Sequence, residues 1–222
     1  CPFDTLFAQE GSGVTGTTYM SGTLWALETL AWDPTYLLRV VNLLGELAAR
    51  DPGGNWENRP ANSLTAILLP WLPQTCAPIS KRRVAVETLI RERPQEAWKL
   101  LVSLLPQPHQ FSSGSRKPEW RDIIPGDWPK SVTHHEYWEQ IGIYAELAVS
   151  MAKGDIKRLT DLIKHFDRLP SLAQEQILAR LDSTEIITLS ETEKFPLWAA
   201  IISLVMKHRQ FADTDWAMKP EL

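Results

Sequence analysis

Apolar residues recur at helical spacing along most of this chain, and no stretch has the apolar and polar alternation of a credible strand. The pattern that begins at Ser21 predicts a helix ending at Trp32. Asp33 followed by Pro34 predicts the N-cap and first residue of a second helix, which should reach Arg50. This second helix is apolar on most sides, which is typical of an inner helix contacted by several neighbours.

Prolines and polar caps divide the rest of the chain. Prolines bound a short helix over residues 62–69. A helix capped by Ser80 and a helix that begins at Pro94 are separated by a very short connection, which predicts an antiparallel hairpin. Thr133 and Glu136 form a capping box that should open the longest helix. Further helices are predicted after Asp155, after Pro170 and over Glu191 to Phe211.

These elements predict an all-α fold of eight or nine helices, arranged as an α-solenoid-like or irregular helical-repeat stack. The helix starts are unevenly spaced and no known repeat signature is present, so a non-repeating helical bundle is the alternative. We expect residues 1–20 to be a linker or the tail of a preceding element, and residues 21–222 to form a single helical-repeat domain. The chain begins with Cys1, and we expect it to be a piece of a longer protein.

A Gly-rich stretch near the start, GSGVTGTTYMSG, contains G-x-x-x-x-G followed by threonines. A phosphate-binding loop needs a lysine at that point, because the lysine reaches the β and γ phosphates. The lysine is missing and no convincing apolar strand precedes the stretch. We therefore interpret it as a linker or turn, with a nucleotide site as the alternative.

Residues 107–132 form the one long segment without periodicity, and a loop of this length is usually functional or disordered. Its aromatic residues predict partial order, and its basic residues interleave with tryptophans as they do at protein interfaces. We interpret the segment as a loop that folds back over the ends of helices, with protein contact as the alternative. The candidates for direct contact are Trp120, Arg121 and Trp128, and the candidates for steering an acidic partner are Arg116 and Lys117.

The composition narrows the function classes. A net charge of -4 gives no electrostatic argument for binding nucleic acid or an anionic membrane. No apolar run is long enough to span a bilayer, so we expect no membrane partner. Two cysteines without a CxxC motif make no disulfide framework, which predicts a cytoplasmic protein.

No motif places a nucleophile beside a base, so we expect no catalytic residue, cofactor or metal. Adjacent histidines on a helix point about 100° apart and do not close on one ion. Asp161 and His165 are predicted to lie together on the exposed face of their helix as a weak surface pair. An enzyme alternative would need a pocket formed by residues such as His109, His134, His135 and Glu136.

Four strings carry a resemblance to a known class of proteins: LWALETLAWDPTYLLRV, NWENRPANSLTAILLPWLPQT, RERPQEAWKLLVSLLP and FPLWAAIISLVMKHRQFADTDWAM. They are similar to the C-terminal helical sensor regions of large bacterial STAND-type antiphage signalling ATPases, and the resemblance covers most of Leu24 to Met218. In that class, an effector and a nucleotide-binding module precede helical repeats that bind a phage protein and release oligomerisation. This chain has no ATPase motif, so the resemblance implies a recognition role and no catalytic residue.

The sequence therefore predicts a non-catalytic protein-interaction or sensor module of a larger bacterial protein. Its expected partner is another protein, a phage protein being one candidate, or another domain of the same parent chain. The parent protein is where we expect any oligomer to form. A small helical enzyme or ligand-binding domain is the alternative, and a nucleic-acid-binding helical repeat is the third hypothesis.

Overall fold

The computed structural model describes residues 7, 9–10, 17–53, 58–112, 114–118, 122–126, 128, 131–214 and 217–218. The regular secondary structure of this described part is helical apart from one antiparallel pair of two-residue strands, β1 (Gln9–Glu10) and β2 (Thr17–Thr18). Gln9 lies opposite Thr18 in that pair. The predicted all-α class is confirmed, and the short strand pair is an addition that the sequence pattern did not indicate.

The connections between successive helices of the described part are ten residues or fewer, except between α5 and α6. A single 3₁₀ turn, Phe166–Arg168, follows α7. The α-helices are α1 (Tyr19–Ala31), α2 (Leu37–Arg50), α3 (Pro60–Leu68), α4 (Ile79–Glu92), α5 (Pro94–Leu104), α6 (His134–Met151), α7 (Ile156–Ile163), α8 (Ser171–Leu181), α9 (Thr184–Ile187) and α10 (Glu191–Gln210).

Two predicted helix starts are confirmed by their hydrogen bonds. Glu136 donates its N–H to Thr133 Oγ1 at 3.2 Å, and Thr133 donates its N–H to Glu136 Oε2 at 2.9 Å. Arg158 donates its N–H to Asp155 Oδ1 at 3.0 Å, so Asp155 caps α7. Both caps satisfy backbone donors that a helix start leaves without intrahelical partners.

Two other predicted starts are wrong. Asp33 does not cap α2, because its Oδ1 accepts the N–H of Thr35 at 2.8 Å and holds a separate turn before the helix. Hydrogen bonds from the backbone and the side chain of Thr35 lower the pKa of the Asp33 carboxyl. Ser80 lies inside α4, whose N-cap residue is Pro78. A short polar side chain serves turns and helix starts equally well, which explains the error at Asp33.

The chain divides into two compact units. The first comprises residues 1–104 and 111–140, and the second comprises residues 105–110 and 141–222. The division falls inside α6. The single helical-repeat domain expected over residues 21–222 stays a prediction.

In the first unit, α2 is the inner helix that its sequence predicted. It packs against α1, α3, α4 and α5, and its residues Val41 and Leu44 have no exposed surface. A Cβ atom at Gly45 would overlap the side chain of Leu89, so glycine permits the close approach of α4. The predicted hairpin is confirmed as well, because α4 packs against α5.

In the second unit, α7 packs against both α10 and α8. Leu162 of α7 and Ile177 of α8 are completely buried. Phe166 is buried and lies in the 3₁₀ turn that follows the helix. Lys207 Nζ donates to Asp167 Oδ2 at 2.6 Å, which joins that turn to α10 by a largely buried ion pair.

Candidate interaction surface

The backbone in the middle of the predicted contact loop forms hydrogen bonds with other residues of the first unit. Arg116 donates its N–H to Glu28 Oε2 at 3.0 Å, and its carbonyl oxygen accepts from Trp32 Nε1 at 3.2 Å. Ser115 donates its N–H to Gln74 Oε1 at 3.2 Å. These residues therefore follow the interpretation in which the loop folds back over helices.

The two basic side chains of this segment lie over tryptophans of α1 and of the turn that follows it. Arg116 Cζ is 5.4 Å from the ring centroid of Trp25, and Lys117 Nζ is 5.2 Å from that of Trp32. Cation–π contacts of this length are attractive, and they hold both cations close to their own chain. Both side chains nevertheless remain exposed, and their role in steering an acidic partner stays a prediction.

Of the three remaining loop candidates, Trp128 lies among the described residues. Trp120 and Arg121 lie outside the described residues. Trp128 is half-buried and donates its backbone N–H to the carbonyl oxygen of Pro125 at 2.9 Å. A contact role for these three residues stays a prediction.

The histidines that suggested chemistry take part in local contacts. Trp138 donates its Nε1–H to His134 Nε2 at 2.9 Å, one helical turn along α6. Asp161 accepts a hydrogen bond from Lys164 at 2.8 Å. His165, expected on an exposed face, is half-buried, and its Nδ1 is 3.4 Å from the carbonyl oxygen of Pro106. Burial lowers the pKa of the His165 imidazole, and the nearby Arg168 guanidinium acts in the same direction.

A different surface stands out in the second unit, on α10. Its large apolar side chains lie in solvent although the helix packs on α7 through its other side, where Leu197 is buried. We call the exposed set the α10 apolar face. It consists of Phe195, Trp198, Ile202, Val205 and Met206, which are 70%, 53%, 56%, 41% and 64% exposed.

These five residues form one continuous stripe. Their spacing of three, four, three and one residues returns to the same side of a helix of 3.6 residues per turn. Exposed charged residues bound the stripe, with Glu191 at the N-terminal end of the helix and Arg209 at its C-terminal end. The distance along the helix between these ends is about 27 Å, at a rise of about 1.5 Å per residue.

The sequence contains a signal for this surface, which is the wide distribution of apolar residues around α10. Apolar residues of α10 occupy more of the helix circumference than a single buried stripe needs, since Leu197 and Ile201 belong to a different side from Phe195 and Ile202. A helix that is apolar on most sides requires neighbours on most sides. Periodicity alone did not reveal which side those neighbours cover.

The second unit also contains an apolar cavity of about 400 Å³. The polar atoms of His208, one of its lining residues, face other protein groups. Its Nδ1 accepts the N–H of Met218 at 3.0 Å, and its Nε2 is 3.4 Å from Asp167 Oδ2. The apolar wall includes Ile163, Phe166, Leu178, Leu181, Ile201 and Leu204.

Comparison of the chain with protein-family models, with curated proteins and with solved structures gave no match. Within the part of the chain that the structure describes, no helix is long and apolar enough to cross a membrane. The same residues contain no group of three or more His, Cys, Asp and Glu side chains that could hold a metal ion.

Proposed function

We propose that this chain is a non-catalytic protein-interaction module and that its contact surface is the α10 apolar face. The observation that carries the proposal is the exposure of five large apolar side chains in one stripe. Contiguous apolar patches on soluble proteins generally mark contact sites, because leaving them in water costs free energy that a partner recovers. A single stripe on a helix fits another helix, as in helix-in-groove recognition.

The chemistry of the stripe favours a protein over a lipid surface. Tryptophan, phenylalanine and methionine are enriched in the buried centres of protein interfaces. A helix that lies on an anionic membrane carries mainly Lys and Arg around its apolar side. The ends of the α10 apolar face carry both signs of charge, because Glu191 is acidic and Arg209 is basic.

The wider setting is part of the same proposal. The α10 apolar face lies within the string FPLWAAIISLVMKHRQFADTDWAM, one of the four that resemble the sensor regions of STAND-type antiphage ATPases. That resemblance supports a sensor in a larger cytoplasmic bacterial protein, with a phage protein as the ligand. Within the first unit, the α4–α5 hairpin supports a helical-repeat arrangement.

The proposal is tested by capture experiments with one substitution on the face and one away from it. Ile202→Glu places a charge at the centre of the stripe, whereas Leu172→Glu changes a residue of α8 that is 65% exposed. Tagged wild-type protein and both variants are recovered from bacteria with and without phage infection, and captured proteins are identified by mass spectrometry. The affinity of each variant for the purified partner is then measured by titration.

We expect wild-type and Leu172→Glu to capture the same protein, and Ile202→Glu to bind it at least about 30-fold more weakly, as for an interface hot spot. Capture only after infection would support the sensor role in particular. Equal capture by all three proteins would contradict the proposal. Loss of capture by a Trp120→Ala/Trp128→Ala double variant, with Ile202→Glu unaffected, would instead place the contact in the loop.

A small-ligand site is the second candidate function, and the cavity beside α10 is the observation that favours it. Its volume of about 400 Å³ lies within the usual range for small-molecule sites. Its lining residues are mainly apolar, so an apolar molecule is the class that fits. Native mass spectrometry of the purified chain would detect a bound molecule, and Leu204→Trp should displace it by filling the cavity.

A further inference from the structure

Six positions along the exposed side of α10 are ordered symmetrically: four residues of the α10 apolar face, all except Met206, and one charged residue at each end. Its central line alternates steps of four and three residues, which is the a and d pattern of a two-stranded helical seam. An acidic residue begins this line, a basic residue ends it, and the residues between them are apolar. The six seam positions are Glu191, Phe195, Trp198, Ile202, Val205 and Arg209.

The order of acidic, apolar and basic positions is complementary to its own reverse, so two copies of the helix match when they lie antiparallel. A two-fold axis perpendicular to α10 near its residue 200 relates the two copies. It places each residue opposite the residue of the second copy that is equally far from residue 200 on the other side. It places Phe195 opposite Val205 of a second copy, and Trp198 opposite Ile202 of that copy. The same operation places Glu191 opposite Arg209 of the second copy, and this charge pair occurs at both ends of the seam.

We infer that the chain pairs with a second copy of itself through antiparallel α10 helices. This inference rests on the proposed function, because it names a partner for the same surface. Burial of the aromatic and aliphatic seam residues drives the association, and each aromatic ring contributes about 150 to 250 Å² when fully buried. The paired charges at the two ends fix the orientation.

A parallel pair of α10 helices does not satisfy these charges. It sets Glu191 beside Glu191 of the second copy, and Arg209 beside Arg209, so that like charges meet at both ends. It also aligns two helix dipoles, whereas the antiparallel pair opposes them. The order of charges therefore selects the antiparallel arrangement.

The charged residues are accessible for this contact. The Glu191 side chain is 89% exposed, and its contact with Lys194 Nζ at 3.6 Å is a surface pair within one turn of the helix. Such pairs contribute little and are easily exchanged. Arg209 is also exposed. Both side chains can therefore turn toward a second copy without breaking a buried interaction.

Sedimentation equilibrium of the purified chain tests the inference. The variants are Glu191→Arg, Arg209→Glu, the double variant that carries both changes, and Ile202→Glu. Glu175→Arg is the matched control, because it makes the same change of charge at an exposed position of α8. Circular dichroism of each variant establishes that the helices are intact.

We expect wild-type and Glu175→Arg to form a dimer of twice the 25.2 kDa chain mass. Each single charge change should raise the dimer dissociation constant at least about tenfold, because like charges then face each other at both ends. The double variant should restore the wild-type dissociation constant, since it only exchanges the two ends of each pair. Ile202→Glu should remain monomeric.

A folded wild-type chain that stays monomeric at all concentrations would overturn the inference. So would a dimer that tolerates both single charge changes, because a parallel seam or another surface behaves in that way. If the wild-type is monomeric but Ile202→Glu still loses the captured protein, self-pairing fails and the proposed function stands. If neither property depends on Ile202, both proposals fail.

Discussion

Two helices of this chain are strongly apolar in sequence, and the structure uses them in opposite ways. In the first unit, α2 is surrounded by four other helices, and Leu44 at its centre has no exposed surface. In the second unit, α10 packs on α7 through one side, and Ile202 at the centre of its other side is 56% exposed. The buried apolar surface of α2 stabilises the fold, whereas the exposed apolar surface of α10 remains available to a partner.

The largest expected difference comes from truncating one apolar side chain on each helix. Leu44→Ala should lower the free energy of unfolding by about 2 to 5 kcal/mol, because it removes buried contacts and leaves a cavity. Ile202→Ala should change it by no more than about 0.5 kcal/mol in the dilute, monomeric chain, as exposed substitutions usually do.

Urea unfolding followed by circular dichroism measures both values. Similar losses for Leu44→Ala and Ile202→Ala would mean that the exposed side of α10 is covered by the chain itself. The α10 apolar face would then belong to the core, and the proposed contact surface would be wrong.

An added methyl group probes how closely α2 is packed. Gly45→Ala should lower the free energy of unfolding by about 1 to 2 kcal/mol, because the added methyl group overlaps the buried Leu89. This net loss remains after the better helix propensity of alanine, which contributes about 1 kcal/mol in the opposite direction. Gly22→Ala in α1 is the matched control, since its added methyl group would have no heavy atom within 4 Å.

We expect the control to raise the free energy of unfolding by about 0.5 to 1 kcal/mol. The sign of the two changes, measured by the same urea titrations, is the decisive result. A gain for Gly45→Ala as large as that for Gly22→Ala would show that α4 can move away from α2 at little cost.

The smallest effect is a difference in pH dependence near neutrality. Burial lowers the pKa of the His165 imidazole from its ordinary 6.5, so the unfolded chain binds this proton more tightly than the folded chain. The contribution of neutral His165 to stability is therefore complete above about pH 6.5 and is lost as the pH falls below that value. Hydrogen exchange at pH 7 and pH 5.5 should show lower protection of α7 at the lower pH, with α2 unchanged after correction for the intrinsic exchange rate.

A His165→Gln variant is the control for this measurement, because it removes the titrating ring. Its α7 protection should not depend on pH in this range. The carboxyl groups of Glu136 and Glu193 have pKa values lowered by hydrogen bonds from Thr133 and Ser190, and they titrate only below their ordinary 4.5. Equal pH dependence in wild-type and His165→Gln would assign the effect to another group.

Helix starts and helix positions were largely predictable, because they depend on neighbours a few residues away. The capping box of Thr133 and Glu136, and the Asp155 cap, are visible as short sequence patterns. The error at Asp33 arose from the same short range, since its side chain accepts a hydrogen bond within a nearer turn. Local chemistry thus predicts helix ends well but does not decide between a helix cap and a turn.

The candidate surface was less predictable, because burial depends on residues far apart in the chain. Arg116 was predicted from composition to face a partner, yet its backbone is held by Glu28 of α1, which is 88 positions away. Trp198 belongs to a helix that is strongly apolar in sequence, and only the packing of α10 on α7 leaves it exposed.

The sequence by itself determined the all-α class, most helix boundaries and the inner position of α2, because periodicity and capping act within a few turns. Only the tertiary structure decided which side of α10 is covered and where the segment around Arg116 lies. The hydrophobic effect is non-directional. An apolar residue therefore indicates that its side chain needs to be buried, but not which other residues bury it.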